Sequence, residues 1–148
     1  MFSLSAEGSS LKFVDSNVFL HAYLKPRREL KPKEKIVKQR AMEIVTRLKD
    51  GEPAAMSTCH LSEVLNILEA GRGLQESLGF LGWALSRESF KILEVGREDY
   101  EASLPIAQDH KIGPNDALAY MLMTRHGLKE IYSFDEHFDQ FNDIKKLP

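Results

Sequence analysis

Hydrophobic positions along the chain fall into two rhythms. Short runs without clear alternation predict strands: Leu11-Lys12-Phe13-Val14, Ala54-Ala55-Met56-Ser57, Phe90-Lys91-Ile92-Leu93-Glu94-Val95 and Glu130-Ile131-Tyr132-Ser133-Phe134, with Ile144 to Leu147 as a candidate fifth. The weak alternation of the third run predicts burial on both faces. Between these runs the apolar residues recur at helical spacing. Val18 to Leu24 predicts a short helix, and Glu34 to Lys49 a longer one with Val37, Ala41, Ile44, Val45 and Leu48 on one face. Pro26 and Pro32 bracket the loop between them. Thr58 is placed to cap a helix whose Leu61, Val64, Leu65 and Leu68 form one stripe, stopped by Gly71 and Gly73. Leu74 to Ser86 carries a stripe of Leu74, Leu78, Leu81 and Leu85, and Glu98 to His110 one of Tyr100, Leu104 and Ala107. From Ala117 to Met123 the chain is apolar throughout, which predicts a helix buried on all sides; Gly127 closes it, and Asp135 to Phe141 predicts a last short helix.

Strands recurring between long helical segments imply right-handed crossovers and a parallel sheet covered on both faces. The expected fold is a three-layer α/β/α sandwich with a parallel central sheet of four to five strands. Two helices in most crossovers set it apart from simple alternation of one strand and one helix. Ligands of such sheets bind beyond the carboxyl ends of the strands. Neither a glycine-rich dinucleotide turn nor a GxxxxGK[ST] phosphate loop is present, so the usual nucleotide readings of the fold lack support.

With 148 residues, 43% apolar and 28% charged, the chain fits one soluble domain over 1–148. No apolar run approaches the roughly 20 residues of a membrane span. Met1 to Ser10 lacks the basic start and apolar centre of a signal peptide, and the single Cys59 excludes an internal disulfide, so a cytoplasmic location is expected. The net charge of -2 conceals an asymmetry: Lys25 to Arg40 holds eight basic residues against Glu29 and Glu34, a local +6 that leaves -8 for the remainder. Two readings of that segment stand, a contact for nucleic acid phosphates and a solvated loop and helix face.

Candidate chemistry rests on acids. Asp15 and Asp135 follow predicted strands, Asp116 begins the buried helix, and Glu63 lies opposite its helix's apolar stripe. Each has a structural reading: Asp15 as a helix cap, Asp116 at the positive end of a helix dipole, Ser133-x-x-Glu136 as a capping box, Glu63 as a surface residue. Jointly they suggest a cluster. Two unit charges about 6 Å apart repel by roughly 3 kcal/mol at an effective dielectric of about 20, so converging carboxylates need a cation or a shared proton. Carboxylate oxygens favour a hard divalent ion, Mg²⁺ or Mn²⁺, which can activate water against a phosphodiester.

Four blocks in this order resemble the motif blocks of the PIN domain family: Phe13-Val14-Asp15-Ser16-Asn17, Ser62-Glu63-Val64-Leu65, Asn115-Asp116-Ala117-Leu118-Ala119 and Ser133-Phe134-Asp135-Glu136-His137-Phe138. The resemblance covers roughly Leu11 to Pro148, and its first and last blocks are the most specific. It implies a Mg²⁺- or Mn²⁺-dependent endoribonuclease in which Asp15, Glu63, Asp116 and Asp135 hold metal and position the attacking water. Ser16, Asn17 and Ser133 would orient the carboxylates by hydrogen bonds, and Asp139, one helical turn beyond Asp135, would add a weaker or second-site ligand. It also implies a VapC-like toxin: an RNA substrate, an antitoxin partner whose tail fills the active site, and a homodimer. The leader at 1–10 and a basic insertion at 25–35 depart from the most compact toxins. Arg27, Arg28 and Lys31 of that insertion are the candidate RNA contacts.

The remaining chemistry-bearing residues carry less. Histidines 21, 60, 110, 126 and 137 lack the spacing of a zinc helix motif, and His137, beside Asp135, is the best placed and is expected at the surface. Cys59 and His60 are adjacent on a helix and point about 100° apart, too divergent for a nucleophile pair; Cys59 is expected to be buried, and Met121, Met123 and Trp83 belong with the core. Two other functions are carried: a non-catalytic RNA-binding module of the same fold, and an aspartate-nucleophile phosphatase. The phosphatase wants an acid two residues after Asp15, where Asn17 stands.

Overall fold

A computed structural model describes residues 11–148; the segment read as a leader lies outside them. Strands β1 (Lys12–Val14), β2 (Ala54–Ser57), β3 (Phe90–Leu93), β4 (Glu130–Tyr132) and β5 (Lys145–Leu147) form one sheet in the order β3-β2-β1-β4-β5. Every neighbouring pair is parallel, with Phe13 opposite both Ala55 and Ile131. The helices are α1 (Ser16–Tyr23), α2 (Pro32–Lys49), α3 (Thr58–Arg72), α4 (Leu74–Ser86), α5 (Arg97–His110) and α6 (Pro114–His126), and a 3₁₀ helix spans Glu136–Gln140.

The chain winds outward from β1 through β2 to β3, then crosses back to β4 on the other side of β1. Right-handed crossovers in opposite directions send their helices to opposite faces. Accordingly α1, α2, α3 and α4 pack on one face around Val18, Phe19, Ile44, Leu48, Val64 and Phe80, while α5 and α6 cover the other around Phe13, Leu118, Leu122 and Ile131. This is the expected three-layer sandwich. Its strand order reverses between β1 and β4, and that reversal opens a crevice at their carboxyl ends.

Several local expectations give way to tertiary context. The leucine stripe of α4 is not its core face: Ser77, Phe80 and Ala84 are buried, whereas Leu74, Leu78 and Leu85 are 53%, 50% and 66% exposed. The helix is apolar on two sides, and the aromatic side wins because Phe80 and Trp83 pack with Phe19 and Phe90. In α5 likewise, Asp99 and Ser103 turn inward while Tyr100 and Leu104 are exposed. Cys59 is half-buried, its sulfur against the Tyr100 hydroxyl. Strand β3 is an edge strand and only its ends are fully buried. Helix α1 begins at Ser16, two residues earlier than the periodicity suggests, and α2 takes Pro32 into its first turn, where a missing N–H costs nothing. Ser57 rather than Thr58 caps α3, accepting from the His60 N–H at 3.0 Å.

Candidate active site

Two of the four acids, Asp15 and Asp135, owe their position to the strand reversal, following β1 and β4. The Asp15 N–H donates to the Tyr132 carbonyl at 3.0 Å, extending the β1–β4 pairing by one residue before α1 begins. Asp15 stands at the N-cap of α1, yet its side chain makes no capping bond. Instead Oδ2 accepts from the Ser133 hydroxyl at 2.7 Å, and Oδ1 lies 3.4 Å from Ser16 Oγ. Ser16 has one hydroxyl proton, and the shorter contact, 2.7 Å, is to Glu63 Oε1. Ser16 therefore joins the carboxylates of β1 and α3, and Ser133, which also accepts from the Asp135 N–H at 3.0 Å, joins those that follow β1 and β4.

The other end of the crevice is made by α6 and the 3₁₀ helix. Pro114 starts α6 and puts Asp116 in its first turn. Asp135, and not Ser133, caps the 3₁₀ helix, Oδ1 accepting from the His137 N–H at 2.9 Å. His137 Nδ1 sits 3.3 Å from Asp116 Oδ2 and 3.2 Å from Asp135 Oδ1. These three residues offer ligand atoms that all lie within 4.8 Å of one another.

Charge is poorly balanced here. Burial pushes the Asp15 carboxyl up to about 7, and the charges of Asp116, Asp135 and Glu63 push the same way against the Ser133 hydrogen bond. Burial and the neighbouring Asp135 raise Asp116, and His137 is raised by its hydrogen bond to Asp116 and by the charge of Asp135. A buried carboxylate facing three others, with an exposed imidazole beside two of them, fits a divalent cation, and an oxygen-rich donor set suits a hard one.

Other candidates fall differently. Asn17 Oδ1 accepts from the Phe134 N–H at 3.4 Å, holding the backbone ahead of Asp135 rather than a carboxylate. Asp139 is turned away: the segment is 3₁₀, with three residues per turn, so a residue four positions on is rotated by about 120°. Its carboxylate pairs with Lys146 at 3.1 Å. In the basic segment, Arg28 places its guanidinium fork on Glu34, at 2.9 and 2.7 Å, while Arg27 and Lys31 are exposed and make no ion pair among the described residues. Lys38 Nζ donates to the carbonyls of His21, Ala22 and Leu24, tying α2 to the end of α1. Between these helices runs a groove of about 630 Å³ floored by Leu20, Leu24, Leu30 and Val37, which reaches Asn17 and Phe134 beside the carboxylates.

Two histidines matter more than the sequence suggested. His137 is exposed, as expected, but stands between two acids. His60 is 1% exposed, with Nδ1 2.6 Å from Ser57 Oγ and Nε2 3.1 Å from the Asn115 carbonyl. The signal for it was its place four and eight residues before Val64 and Leu68, on the buried face of α3.

A family model for the PIN domain matches residues 12–144. Among curated proteins none matches. The fold is similar to that of VapC20 from Mycobacterium tuberculosis, described as a sarcin-ricin-loop-cleaving toxin, at 17% identity and TM-score 0.66 over 91% of this chain and 97% of that one. A toxin-antitoxin complex from Klebsiella pneumoniae matches at 16% identity and 0.62, over 90% and 94% of the two chains. VapBC2 from Rickettsia felis, bound to a promoter DNA fragment, matches at 15% and 0.61, over 93% and 97%.

Proposed function

The chain belongs to the PIN domain family, and from that premise we propose that it is a divalent-metal-dependent endoribonuclease that hydrolyses RNA phosphodiester bonds as a VapC-like toxin. The observation that carries the reading is Asp15: a 5%-exposed carboxylate that makes no capping bond, has no ion pair among the described residues, and feels three further acids. Asp15, Glu63, Asp116 and Asp135 would hold Mg²⁺ or Mn²⁺, with His137 at the rim. When bound, such an ion lowers the pKa of a water and offsets charge building on the phosphodiester. Ser133 and Ser16 aim the Asp15 and Glu63 oxygens, the role that outer partners play for metal ligands. Asn17 keeps Phe134, and so Asp135, in register with α1. Arg28 is paired with Glu34, and of the candidate RNA contacts Arg27 and Lys31 remain to meet phosphates, beside the exposed Lys25, Lys33 and Lys35.

Three features support the partner side of this reading. The structural neighbours include toxins and toxin–antitoxin complexes, and the likeness spans about nine-tenths of each chain. The apolar groove between α1 and α2 suits a segment of an antitoxin, whose tail would then lie toward Asp15. The exposed Leu74, Leu78 and Leu85 of α4, with the half-buried Leu81, recur at the four-three-four spacing of a two-helix seam and suit a homodimer. Among the described residues no helix is long and apolar enough to cross a membrane, and a cytoplasmic location is part of the same proposal.

The test is direct. Purified protein with Mn²⁺ cleaves RNA, loses cleavage in chelator, and loses it in Asp116→Asn with an unchanged circular dichroism spectrum. Cleavage that survives Asp116→Asn overturns the assignment; tight RNA binding without cleavage under either metal makes the protein a binding module.

A further inference from the structure

We propose that His60 is a positioning residue for the acidic site, a neutral ring whose Nε2–H ties the first turn of α6 to α3 and thereby sets Asp116 against Glu63. The inference deepens the nuclease reading and rests on it for its functional consequence.

The protonation pattern follows from the partners. Nε2 faces the Asn115 carbonyl at 3.1 Å, and a carbonyl only accepts, so Nε2 carries a proton. Burial pushes the ring pKa down to about 4, so at neutral pH it carries one proton and no more. Nδ1 is therefore bare and accepts from the Ser57 hydroxyl at 2.6 Å, while Ser57 Oγ accepts from the His60 N–H at 3.0 Å. Both ring nitrogens are thus answered, and the edge-on contact with Phe13, centroids 5.3 Å apart, wedges the ring against β1.

The tether has its effect because of where it ends. Asn115 is one peptide from Asp116 in the first turn of α6, so a shift of that turn carries the Asp116 carboxylate away from His137 Nδ1, which it meets at 3.3 Å. Glu63 is three residues after His60 on α3. Ser57 ends β2, so one hydrogen-bonded path runs from β2 through the ring to the turn that carries Asp116. Phenylalanine fills the same space without the donor; glutamine reaches with an amide N–H in place of Nε2–H.

The experiment measures Mn²⁺ affinity by titration calorimetry, RNA cleavage at saturating Mn²⁺, and exchange of the Ala117 amide, which closes the first turn of α6 on the Gly113 carbonyl. His60→Phe is expected to weaken Mn²⁺ binding about 10-fold or more, as loss of an outer partner does, and to lower kcat with KM for RNA unchanged. His60→Gln is expected to recover most of both losses, and Ala117 exchange to be faster in the phenylalanine variant alone. Should His60→Phe fail to fold, Ser57→Ala, which strips Nδ1 of its donor, is expected to shift the same readouts in the same direction. Wild-type Mn²⁺ affinity in His60→Phe overturns the proposal, and so does a glutamine variant as weak as the phenylalanine one. If the wild type neither binds Mn²⁺ nor cuts RNA, the nuclease reading fails by itself; Ala117 exchange then decides the tether, and equal exchange in all three proteins refutes it.

Discussion

Asp15 and Asp99 are both buried acids, 5% and 7% exposed, and the chain treats them in opposite ways. Asp99 opens α5, accepts from the Gly96 N–H at 2.8 Å and meets the Arg125 guanidinium; those contacts hold its carboxyl below the usual range, the backbone bond being the largest cause. Asp15 opens α1, accepts from the Ser133 hydroxyl and faces three acids, and burial lifts it to about 7. A buried charge answered from within the chain is structural. One left unanswered is a standing cost, and it is intelligible where an outside cation supplies the answer.

Breaking Asp15 should give the largest effect. Asp15→Asn is expected to lower RNA cleavage with Mn²⁺ by more than about 100-fold, beyond what loss of an outer partner usually brings. Wild-type rates in this variant would remove Asp15 from the chemistry. The same substitution sharpens the contrast in stability. Between pH 3.8 and about 7 the native Asp15 keeps a proton that the unfolded chain has released, so metal-free stability falls as pH rises. Asparagine has no such proton. Relative to the wild type, Asp15→Asn should gain about 1–3 kcal/mol in metal-free melts between pH 5 and pH 7.5, and histidine titrations common to both proteins cancel. A relative stability that stays flat with pH would show that the carboxyl is not raised.

Asp99 is the control. Asp99→Ala removes a helix-end acceptor and an ion pair whose arginine is 46% exposed, so a thermal melt is expected to lose about 1–2 kcal/mol while Mn²⁺-dependent cleavage holds. Loss of cleavage at undiminished stability would erase the distinction. The smallest effect carries the same logic to the basic segment. Replacing the exposed Arg27 and Lys31 by alanine should flatten the salt dependence of RNA binding by roughly 1 to 2 in log–log slope, and replacing Arg28, which is paired with Glu34, should leave it alone. Equal slopes in both variants would make the segment a solvated loop.

Much of this site was legible beforehand because its acids sit at element boundaries, where local pattern is most informative. Asp15 after an apolar run and Asp116 after Gly-Pro are visible in any reading of the chain. The roles of Ser16 and Ser133 were implied by family resemblance, and the structure shows the bonds they make: to Glu63 over 47 residues and to Asp15 over 118. The pairing of Asp139 with Lys146 was not legible, because α and 3₁₀ helices share composition but not rotation per residue. His60 was passed over because a histidine on an apolar stripe gives no sign of its partner, and Asn115 lies 55 residues away.

Hydrophobic rhythm alone determined the sequence of strands and helices, hence the parallel sandwich, because the period of burial is a local property of backbone geometry. It could not determine which of two apolar faces α4 buries, or which acids are matched by a base. Those outcomes depend on what the opposite layer presents. Phe19 draws in Phe80, Phe90 packs with Trp83, and Leu74, Leu78 and Leu85 are left to solvent; Arg125 answers Asp99, while no ion pair among the described residues answers Asp15.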